Sequence, residues 1–280
     1  MDGIILVNKP KGYTSHDLVQ KVRGLLKIQK IGHTGTLDPM AEGLMMLTVG
    51  KTTKILPYIS IHDKKYHADL TLGIRTDTLD AEGTVLEERE VPLFTDQEIL
   101  EVLNSFRGPS LQVPPMYSAK KVNGKKLYEL ARKNVEIERE PVAITIHDIK
   151  LISHEGNHIT FDVSCSSGTY IRSLCADIAE KLNTIGIMSA LKRTAIDKYT
   201  LDQSCTLEQI AAGEFTMIDT YDVLYHYPYH EVEDLTAVMN GKPLSIDTPY
   251  SFVFVTHEGQ IIASYERAQD DIFVCKRGLW

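Results

Sequence analysis

The sequence predicts a mixed α/β protein of the α+β type, in which helices surround a mixed sheet. Segments with strand and helix periodicity alternate irregularly, and neighbouring strands form hairpin-like pairs without the strand–helix–strand rhythm of a doubly wound fold. The length of 280 residues suits one large domain, or one domain with a small appendage.

The first half of the chain begins with an apolar strand over 3–8, which the turn signal KPKG ends. Ser15 is the predicted N-cap of a helix, because apolar residues follow it at helical spacing. The later elements predicted here are a buried strand over 44–49, a short helix over 51–58 and a half-buried strand over 65–72. The apolar face of the first helix consists of Leu18, Val19, Val22, Leu25 and Leu26.

The second half begins with an acidic stretch and ends in a region of different texture. From about residue 230, short β-rich runs alternate with turn signals, which predicts a small barrel-like module that leans on the main domain. The elements predicted before it are an amphipathic helix opened by Thr95-Asp96, a loop over 108–115, a basic insertion over 116–133 with helical character near LYELAR, strands over 142–151 and 159–164, and a helix over 170–182.

The net charge of −8 is distributed unevenly. Residues 1–65 carry ten Lys/Arg against five Asp/Glu, and residues 107–150 carry nine against five. Residues 76–106 carry one against nine, and residues 201–280 carry four against thirteen. Local potential decides whether a cleft binds a polyanion, so a nucleic-acid partner is compatible with this charge. Solvated helix faces would give the same pattern.

Composition indicates a soluble cytoplasmic protein without a membrane partner. The longest apolar runs are far too short to span a bilayer, and the N-terminus lacks the pattern of a secretory signal. The cysteines are widely spaced, without a CxxC pair, which is typical of reduced thiols in a cytosolic protein. They are Cys165, Cys175, Cys205 and Cys275.

The octapeptide GHTGTLDP at 32–39 is the most informative stretch of the chain. Its two glycines allow positive φ angles and close approach to a ligand, and Pro39 holds Asp38 in an extended conformation. A lone acid on such a loop could serve as a nucleophile. It could equally be the N-cap of a short helix whose first residue is Pro39.

Three further stretches carry candidate chemistry. NKPKG at 8–12 places two lysines on a turn, KKYHADLTLG places Tyr66 near the start of a strand, and CSSGTYIRSL places Arg172 in the first turn of a helix. Each has a simpler interpretation as a core aromatic, a surface arginine or a capping segment. No metal site is predicted, because the HxxxH pairs His154/His158 and His226/His230 lack neighbouring cysteines. A P-loop is excluded, because no GK[ST] follows Gly32–Gly35 at the spacing of that motif.

In this order the motifs resemble the TruB family, the bacterial tRNA pseudouridine synthases that modify uridine 55 in the TΨC loop. The similarity runs through NKPKGYTSHDLV, GHTGTLDPMAEGLMMLTVGKTTKI, KKYHADLTLG, PPMYSAKKVNGKKLYELAR, SGTYIRSLCADIAEKL and MSALKRTAIDKY, and covers roughly residues 3–200. It implies an isomerase with a pseudouridine-synthase-like, largely antiparallel sheet and tRNA as its partner, bound at the T arm or elbow.

The resemblance also assigns roles to residues. Asp38 matches the catalytic aspartate that attacks the uridine, and Arg172 matches the arginine that pairs with it. Tyr66 matches the tyrosine that stacks on the target base and assists proton removal. The residues that match the substrate contacts are His33 and Thr34 of the loop, Leu191 lining the base pocket, and Lys9 of a motif thought to be mainly structural.

The chemistry agrees with these roles. Isomerisation breaks N1–C1′ and rejoins the base through C5, so it requires neither a metal nor an organic cofactor. A carboxylate can attack either C6 of the uracil or C1′ of the ribose. The base must leave its stack, and an aromatic face offsets part of that cost. Phosphate contacts are assigned to the insertion, namely to Lys120, Lys121, Lys125, Lys126 and Arg132.

The expected division is a catalytic domain over 1–229, with the basic insertion at about 108–140, and a module over 230–280. This last segment is similar to the PUA-type RNA-binding module, but its acidity leaves a packing role open. Without long basic extensions, the chain is expected to be a monomer without an obligate protein partner. The alternatives from other classes are a non-catalytic tRNA-binding or folding protein and, less favoured, an N-glycosidase.

Overall fold

The computed structural model describes residues 1–118, 120–122, 124–131, 133, 135 and 137–280, and for Lys121, Lys125 and Lys126 it describes the backbone alone. Within these residues the chain is a mixed α+β structure in which most neighbouring strands are antiparallel. The predicted fold class is therefore confirmed.

The strands of the described residues fall into one large sheet, one five-stranded sheet and two short ladders. They are β1 (Gly3–Lys9), β2 (Ile31–His33), β3 (Glu42–Val49), β4 (Asp63–Leu72), β5 (Ile74–Thr76), β6 (Val85–Glu88), β7 (Gly108–Gln112), β8 (Lys121–Val122), β9 (Lys125–Lys126), β10 (Val142–Glu155), β11 (His158–Ser166), β12 (Gly186–Ile196), β13 (Tyr199–Thr200), β14 (Met217–Ile218), β15 (Tyr229–Glu231), β16 (Leu244–Ser245), β17 (Phe252–His257), β18 (Gln260–Gln269) and β19 (Ile272–Gly278).

The helices lie around these sheets. They are α1 (Ser15–Leu26), α2 (Asp96–Asn104), α3 (Leu127–Ala131), α4 (Ile171–Lys181), α5 (Leu207–Ala212), α6 (Thr220–Leu224) and α7 (Leu235–Met239), with 3₁₀ turns over Gly50–Tyr58 and Leu201–Gln203. Within the residues described, no helix has both the length and the apolar character needed to cross a membrane.

The large sheet has the order β14-β1-β3-β12-β4-β11-β10-β7, with β2 added to β3 and β13 added to β12. Strands β3 and β12 pair in parallel, and the other neighbours in this sheet are antiparallel. The parallel pair is close: a Cβ at Gly43 would lie 2.4 Å from the carbonyl oxygen of Arg193, and its φ is +107°. Only glycine fits where β3 meets β12.

The apolar runs in β1 and β3 are continuous because both faces of these strands are buried. In β1, Ile5 and Val7 face the main core, while Ile4 and Leu6 face a second core on the opposite side. Strand β3 divides in the same way, with Met45 in the first core and Leu44 in the second. Burial on two faces replaces polar–apolar alternation by an uninterrupted apolar run.

Two local predictions are wrong. Residues 108–112 of the predicted loop form strand β7, which pairs with β10, because main-chain hydrogen bonding to a neighbouring strand outweighs the turn signal of Gly108-Pro109. The N-cap of α1 is Thr14, whose side chain accepts a hydrogen bond from the backbone N–H of Asp17. The hydroxyl of Ser15 is then free to make a different contact.

The C-terminal strands form a second sheet in the order β15-β17-β18-β19-β16. It has a small core of its own around Val253, Tyr265 and Phe273. On its other side, Phe254 and Leu279 pack into the second core of the large sheet. The module therefore shares apolar surface with the sheet face opposite α1.

Candidate active site

The loop that carries Asp38 is held at several backbone positions. The Ser15 hydroxyl accepts a hydrogen bond from the N–H of Leu37 at 2.9 Å and donates to its carbonyl at 3.0 Å. Lys9, which is wholly buried, donates to the carbonyls of Tyr13 at 2.6 Å and Pro39 at 3.3 Å. Burial lowers the pKa of Lys9 to about 8. The backbone on both sides of Asp38 is thus fixed.

Two expectations for this loop are wrong. Neither Gly32 nor Gly35 is among the glycines with positive φ. Gly32 instead lies in β2, where its pairing with Thr48 of β3 holds the backbone extended. The short helix beginning at Pro39, with Asp38 as its alternative N-cap, does not form, since the chain makes a turn at 39–40 and enters β3 at Glu42. The Asp38 carboxylate is therefore free for another partner.

That partner is Arg172, the second residue of α4. Its Nε lies 2.8 Å from Oδ2 of Asp38, and its Nη2 donates to Oδ1 at 3.3 Å. The Arg172 side chain is 5% exposed and that of Asp38 is 33% exposed. The guanidinium thus approaches from inside the protein and leaves the carboxylate open to the solvent side. A forked arginine–carboxylate contact fixes both distance and orientation.

Arg172 is itself held by backbone groups from two other segments. Nη1 donates to the carbonyl of Thr78 at 2.9 Å, and Nη2 donates to that of Tyr117 at 2.7 Å. The carboxylate of Asp80 lies 3.7 Å from Nη1 and accepts hydrogen bonds from the Thr78 hydroxyl and the N–H of Glu82. These contacts determine where the guanidinium stands before any substrate arrives.

A cavity of about 250 Å³ opens beside this ion pair. Tyr66 on β4 and Leu191 on β12 form its apolar wall, and both are nearly fully buried. Burial raises the pKa of the Tyr66 phenol. The remaining lining residues are Thr36, Leu37, Asp38, Lys64, Ser118, Gly168, Thr169, Tyr170, Ile171 and Arg172.

Sequence analysis missed Lys64 as a member of this site. It precedes Tyr66 by two positions on β4, so both side chains lie on the face of the strand that borders the cavity. Burial lowers the pKa of Lys64 to about 8. The KxY spacing, read as strand alternation, was the signal that could have identified it.

Other predicted contact residues lie outside the cavity lining. His33 ends β2 and Thr34 follows it, with the Thr34 N–H bonded to the carbonyl of Met46 at 3.1 Å. His33 is half-buried, and burial lowers its pKa. Lys9 lies beneath the loop and does not reach the surface.

The predicted phosphate contacts can be placed only in part. Ser118 lines the cavity, and Lys120, two residues further on, is half-buried. The backbones of Lys121, Lys125 and Lys126 form the short ladder of β8 and β9. The side chains of these three lysines and the whole of Arg132 lie outside the described residues.

Comparison with known proteins identifies relatives over most of the chain. Residues 23–171 match the model of the TruB family pseudouridylate synthase (N terminal domain), and residues 172–224 match the tRNA pseudouridylate synthase B C-terminal domain. A tRNA pseudouridine synthase B from Clostridium kluyveri is 48% identical over 86% of this chain and 84% of its own length. One from Mesoplasma florum is 38% identical over 99% and 97%.

Solved structures share the fold at lower identity. A Cbf5-Nop10-Gar1 complex contains a chain that aligns with 99% of this one and 85% of its own length, with a TM-score of 0.71 and 21% identity. An archaeal box H/ACA sRNP Nop10-Cbf5 complex gives a TM-score of 0.67 at 20% identity. The family models and the bacterial relatives decide the assignment: this chain belongs to the TruB family of pseudouridylate synthases.

Proposed function

We propose that this chain isomerises uridine to pseudouridine in tRNA, at position 55 of the TΨC loop. The observation that carries the proposal is the Asp38–Arg172 ion pair beside a secluded cavity walled by Tyr66 and Leu191, in a chain of this family. At about 250 Å³ the cavity is smaller than pockets for drug-sized ligands, which are roughly 300–1,000 Å³. Its size suits one everted base.

Asp38 is the proposed nucleophile. Its carboxylate is the only acid among the residues described as lining the cavity, and Arg172 fixes its orientation from the buried side. Attack on C6 of the uracil or on C1′ of the ribose allows N1–C1′ to break and the base to rotate before C5 bonds to C1′. The C5 proton leaves, N1 gains a proton, and no oxidation occurs.

Tyr66 and Leu191 are the proposed contacts of the everted base. Taking a base out of its stack costs a few kcal/mol. Stacking the base on an aromatic ring offsets about 1–3 kcal/mol of this free-energy cost. Tyr66 and Leu191 lie on adjacent strands and wall the same cavity, so the base can contact the ring and the aliphatic side chain together.

Contacts with the rest of the T arm are proposed for the loop and the insertion. His33 and Thr34 stand at the start of the loop that presents Asp38, where RNA flanking the everted nucleotide would pass. The insertion touches the site directly, because Tyr117 bonds Arg172 and Ser118 lines the cavity. Because this segment reaches the cavity, we assign the phosphate contacts to the basic residues of the insertion, namely Lys120, Lys121, Lys125, Lys126 and Arg132. Lys9 acts indirectly, by holding the loop.

The division of the chain is part of the proposal. Residues 1–229 would form the catalytic domain, with the insertion at about 108–140, and residues 230–280 would form a PUA-like module. We also propose a cytoplasmic monomer that needs no protein partner. Sedimentation of the purified protein should give a single species near its mass of 31.5 kDa, and a larger species would contradict this part.

The experiment that tests the function is Asp38→Asn with an unmodified tRNA transcript and carbodiimide mapping of pseudouridine. We expect conversion to be abolished while stem-loop affinity stays within about tenfold, since only the covalent step is removed. Asp148→Asn is the matched control, because Asp148 is 37% exposed, much as Asp38 is, and pairs with Arg107 away from the cavity.

Two other outcomes would each contradict part of the proposal. Conversion by Asp38→Asn would show that the nucleophile is a different group. Binding of tRNA by the wild type without conversion would favour a folding protein that does not modify its RNA.

A further inference from the structure

Arg193 is a fully buried cation that the reaction scheme above does not use. It lies in β12 and is 1% exposed, and it is among the largest wholly buried side chains. The ion pairs of the described residues do not include it. Buried charges are normally paired, so an arginine without a carboxylate requires an explanation.

Two of its nitrogens bind backbone groups near the active site. Nε donates to the carbonyl of Leu44 on β3 at 2.7 Å. Nη1 donates to the carbonyl of Thr36 at 3.4 Å, two residues before Asp38. In the part of the chain that the structure describes, Nη2 is buried and has no acceptor. One donor of the guanidinium is therefore not used by the fold.

The register of the sheet places Arg193 directly opposite Tyr66. The two residues are Cα partners in the antiparallel pair of β12 and β4, so their side chains leave the same face of the sheet. Leu191, the next residue of β12 on that face, lines the cavity with Tyr66. Arg193 does not line the cavity itself, but it leaves the same face of the sheet as Tyr66 and Leu191, which do.

Charges on every side of Tyr66 act on its phenol. Burial has the largest effect and raises the pKa of Tyr66, and Cys165 on β11 and Asp38 on the loop add to the increase. The positive charge of Arg193, and the approach of its guanidinium to the phenol oxygen, both lower it. Lys64 on the same strand and Arg172 on α4 also border the cavity.

We propose that Arg193 is a positioning residue that stabilises the phenolate of Tyr66, so that this oxygen can accept the C5 proton in the isomerisation. The inference rests on the proposed function. In this step the C5–H bond breaks and its electron pair forms the C5–C6 double bond. If Asp38 has attacked C6, the bond from C6 to the Asp38 oxygen breaks and returns its pair to the carboxylate; if Asp38 has attacked C1′, the second pair of the C6–N1 double bond moves to N1, which gains a proton. The proton forms an O–H bond on Tyr66 and passes to water before the next turnover. Nη2 of Arg193 is the donor left to bind the phenolate.

A structural role makes different predictions from this one. If Arg193 only joins β3 to the Asp38 loop, the increase in activation free energy caused by Arg193→Met should add to the increase caused by Tyr66→Phe. If Arg193 acts through the phenol of Tyr66, the two increases should not add, because the phenylalanine ring of Tyr66→Phe has no oxygen for Arg193 to stabilise. A double-mutant cycle therefore separates the two.

The cycle uses Arg193→Met, Tyr66→Phe and the double variant, with single-turnover rates on a T-arm stem-loop at saturating enzyme. We expect Arg193→Met to lower the rate at least tenfold at pH 7, the change that one pKa unit produces in the phenolate fraction. Stem-loop affinity should not change. Arg193→Met should lower the rate by no more than a factor of about two in the Tyr66→Phe background, and Arg193→Lys should recover most of the rate in the Tyr66 protein.

The second measurement replaces Tyr66 by a tyrosine analogue whose phenol is more acidic. Site-specific 3-fluorotyrosine at position 66 should restore much of the rate of Arg193→Met, which a purely structural defect would not allow. If Arg193→Met does not fold, the same rescue is measured in Arg193→Gln, which also removes the positive charge. Additive losses in the cycle, no loss in Arg193→Met, no loss in Tyr66→Phe, or no rescue would each overturn the inference. An inactive wild type would instead refute the proposed function.

Discussion

The substitution Arg172→Lys tests whether the fork of the guanidinium, and not only its charge, is required. Arg172 uses Nε and Nη2 on Asp38, Nη1 on Thr78 and Nη2 on Tyr117. A lysine ammonium at the same position is a point charge with a shorter reach. It can retain one contact with the carboxylate and cannot also bind both backbone carbonyls.

The size of the effect follows from these contacts. Losing one of the two hydrogen bonds to Asp38 removes an interaction with a charged group, which is worth about 1.5–3 kcal/mol. If that energy is needed to orient the carboxylate for attack, the chemical step slows by roughly 10- to 100-fold. Leaving the carbonyls of Thr78 and Tyr117 unpaired should lower the melting temperature by several degrees. RNA affinity should stay within a few-fold.

The assay is tritium release from a stem-loop that contains [5-³H]uridine, under single-turnover conditions, since pseudouridine formation expels the C5 hydrogen. Arg107→Lys is the control, because Arg107 pairs with Asp148 at 2.8 Å but is 47% exposed. A rate for Arg172→Lys within threefold of the wild type, or an equal loss in Arg107→Lys, would refute the reasoning.

Two more predictions concern Lys64 and the insertion. Because burial lowers the pKa of Lys64 from 10.5 to about 8, the folded protein below pH 8 holds a buried charge that unfolding would release to water. Lys64→Met should therefore raise the melting temperature most below pH 8, and the difference from the wild type should shrink as the pH rises to about 10.5; a difference independent of pH would contradict this. Lys125→Glu with Lys126→Glu should weaken tRNA binding and reduce the slope of log Kd against log salt by roughly 1.4–1.8. Lys150→Glu, at a lysine 67% exposed on β10, is the control, and an unchanged slope in the double variant would show that the insertion does not contact phosphate.

Periodicity predicted the elements that rest on local patterns. The continuous apolar run at 44–49 and the alternation at 65–72 predicted strands, and β3 and β4 contain them. The predictions failed where distant partners decide, as at 108–112, where pairing with β10 makes a strand of a segment with turn composition. The positive φ expected at the loop glycines failed for a similar reason: Gly32 lies in β2, and its pairing with Thr48 of β3 holds the backbone extended.

The residues of the site also divide into those that the motifs identified and those that depend on strand pairing. The motifs named Asp38, Tyr66 and Arg172, and the structure places all three at one cavity. Arg193 lies in the stretch MSALKRTAIDKY, but the sequence assigned it no role and did not predict its burial opposite Tyr66, because that contact depends on the register between β12 and β4. The catalytic roles of these residues stay predictions until the variants are measured.

What the sequence determined by itself is the set of residue types and their local conformations: an acid before a proline, an aromatic on an alternating strand, and an arginine at the start of a helix. Only the tertiary structure brings these residues together. Asp38 and Arg172 are 134 positions apart in the chain, and the fold places Nε of Arg172 2.8 Å from Oδ2 of Asp38. Local pattern fixes which way a side chain leaves the backbone, whereas strand order and register fix what it meets.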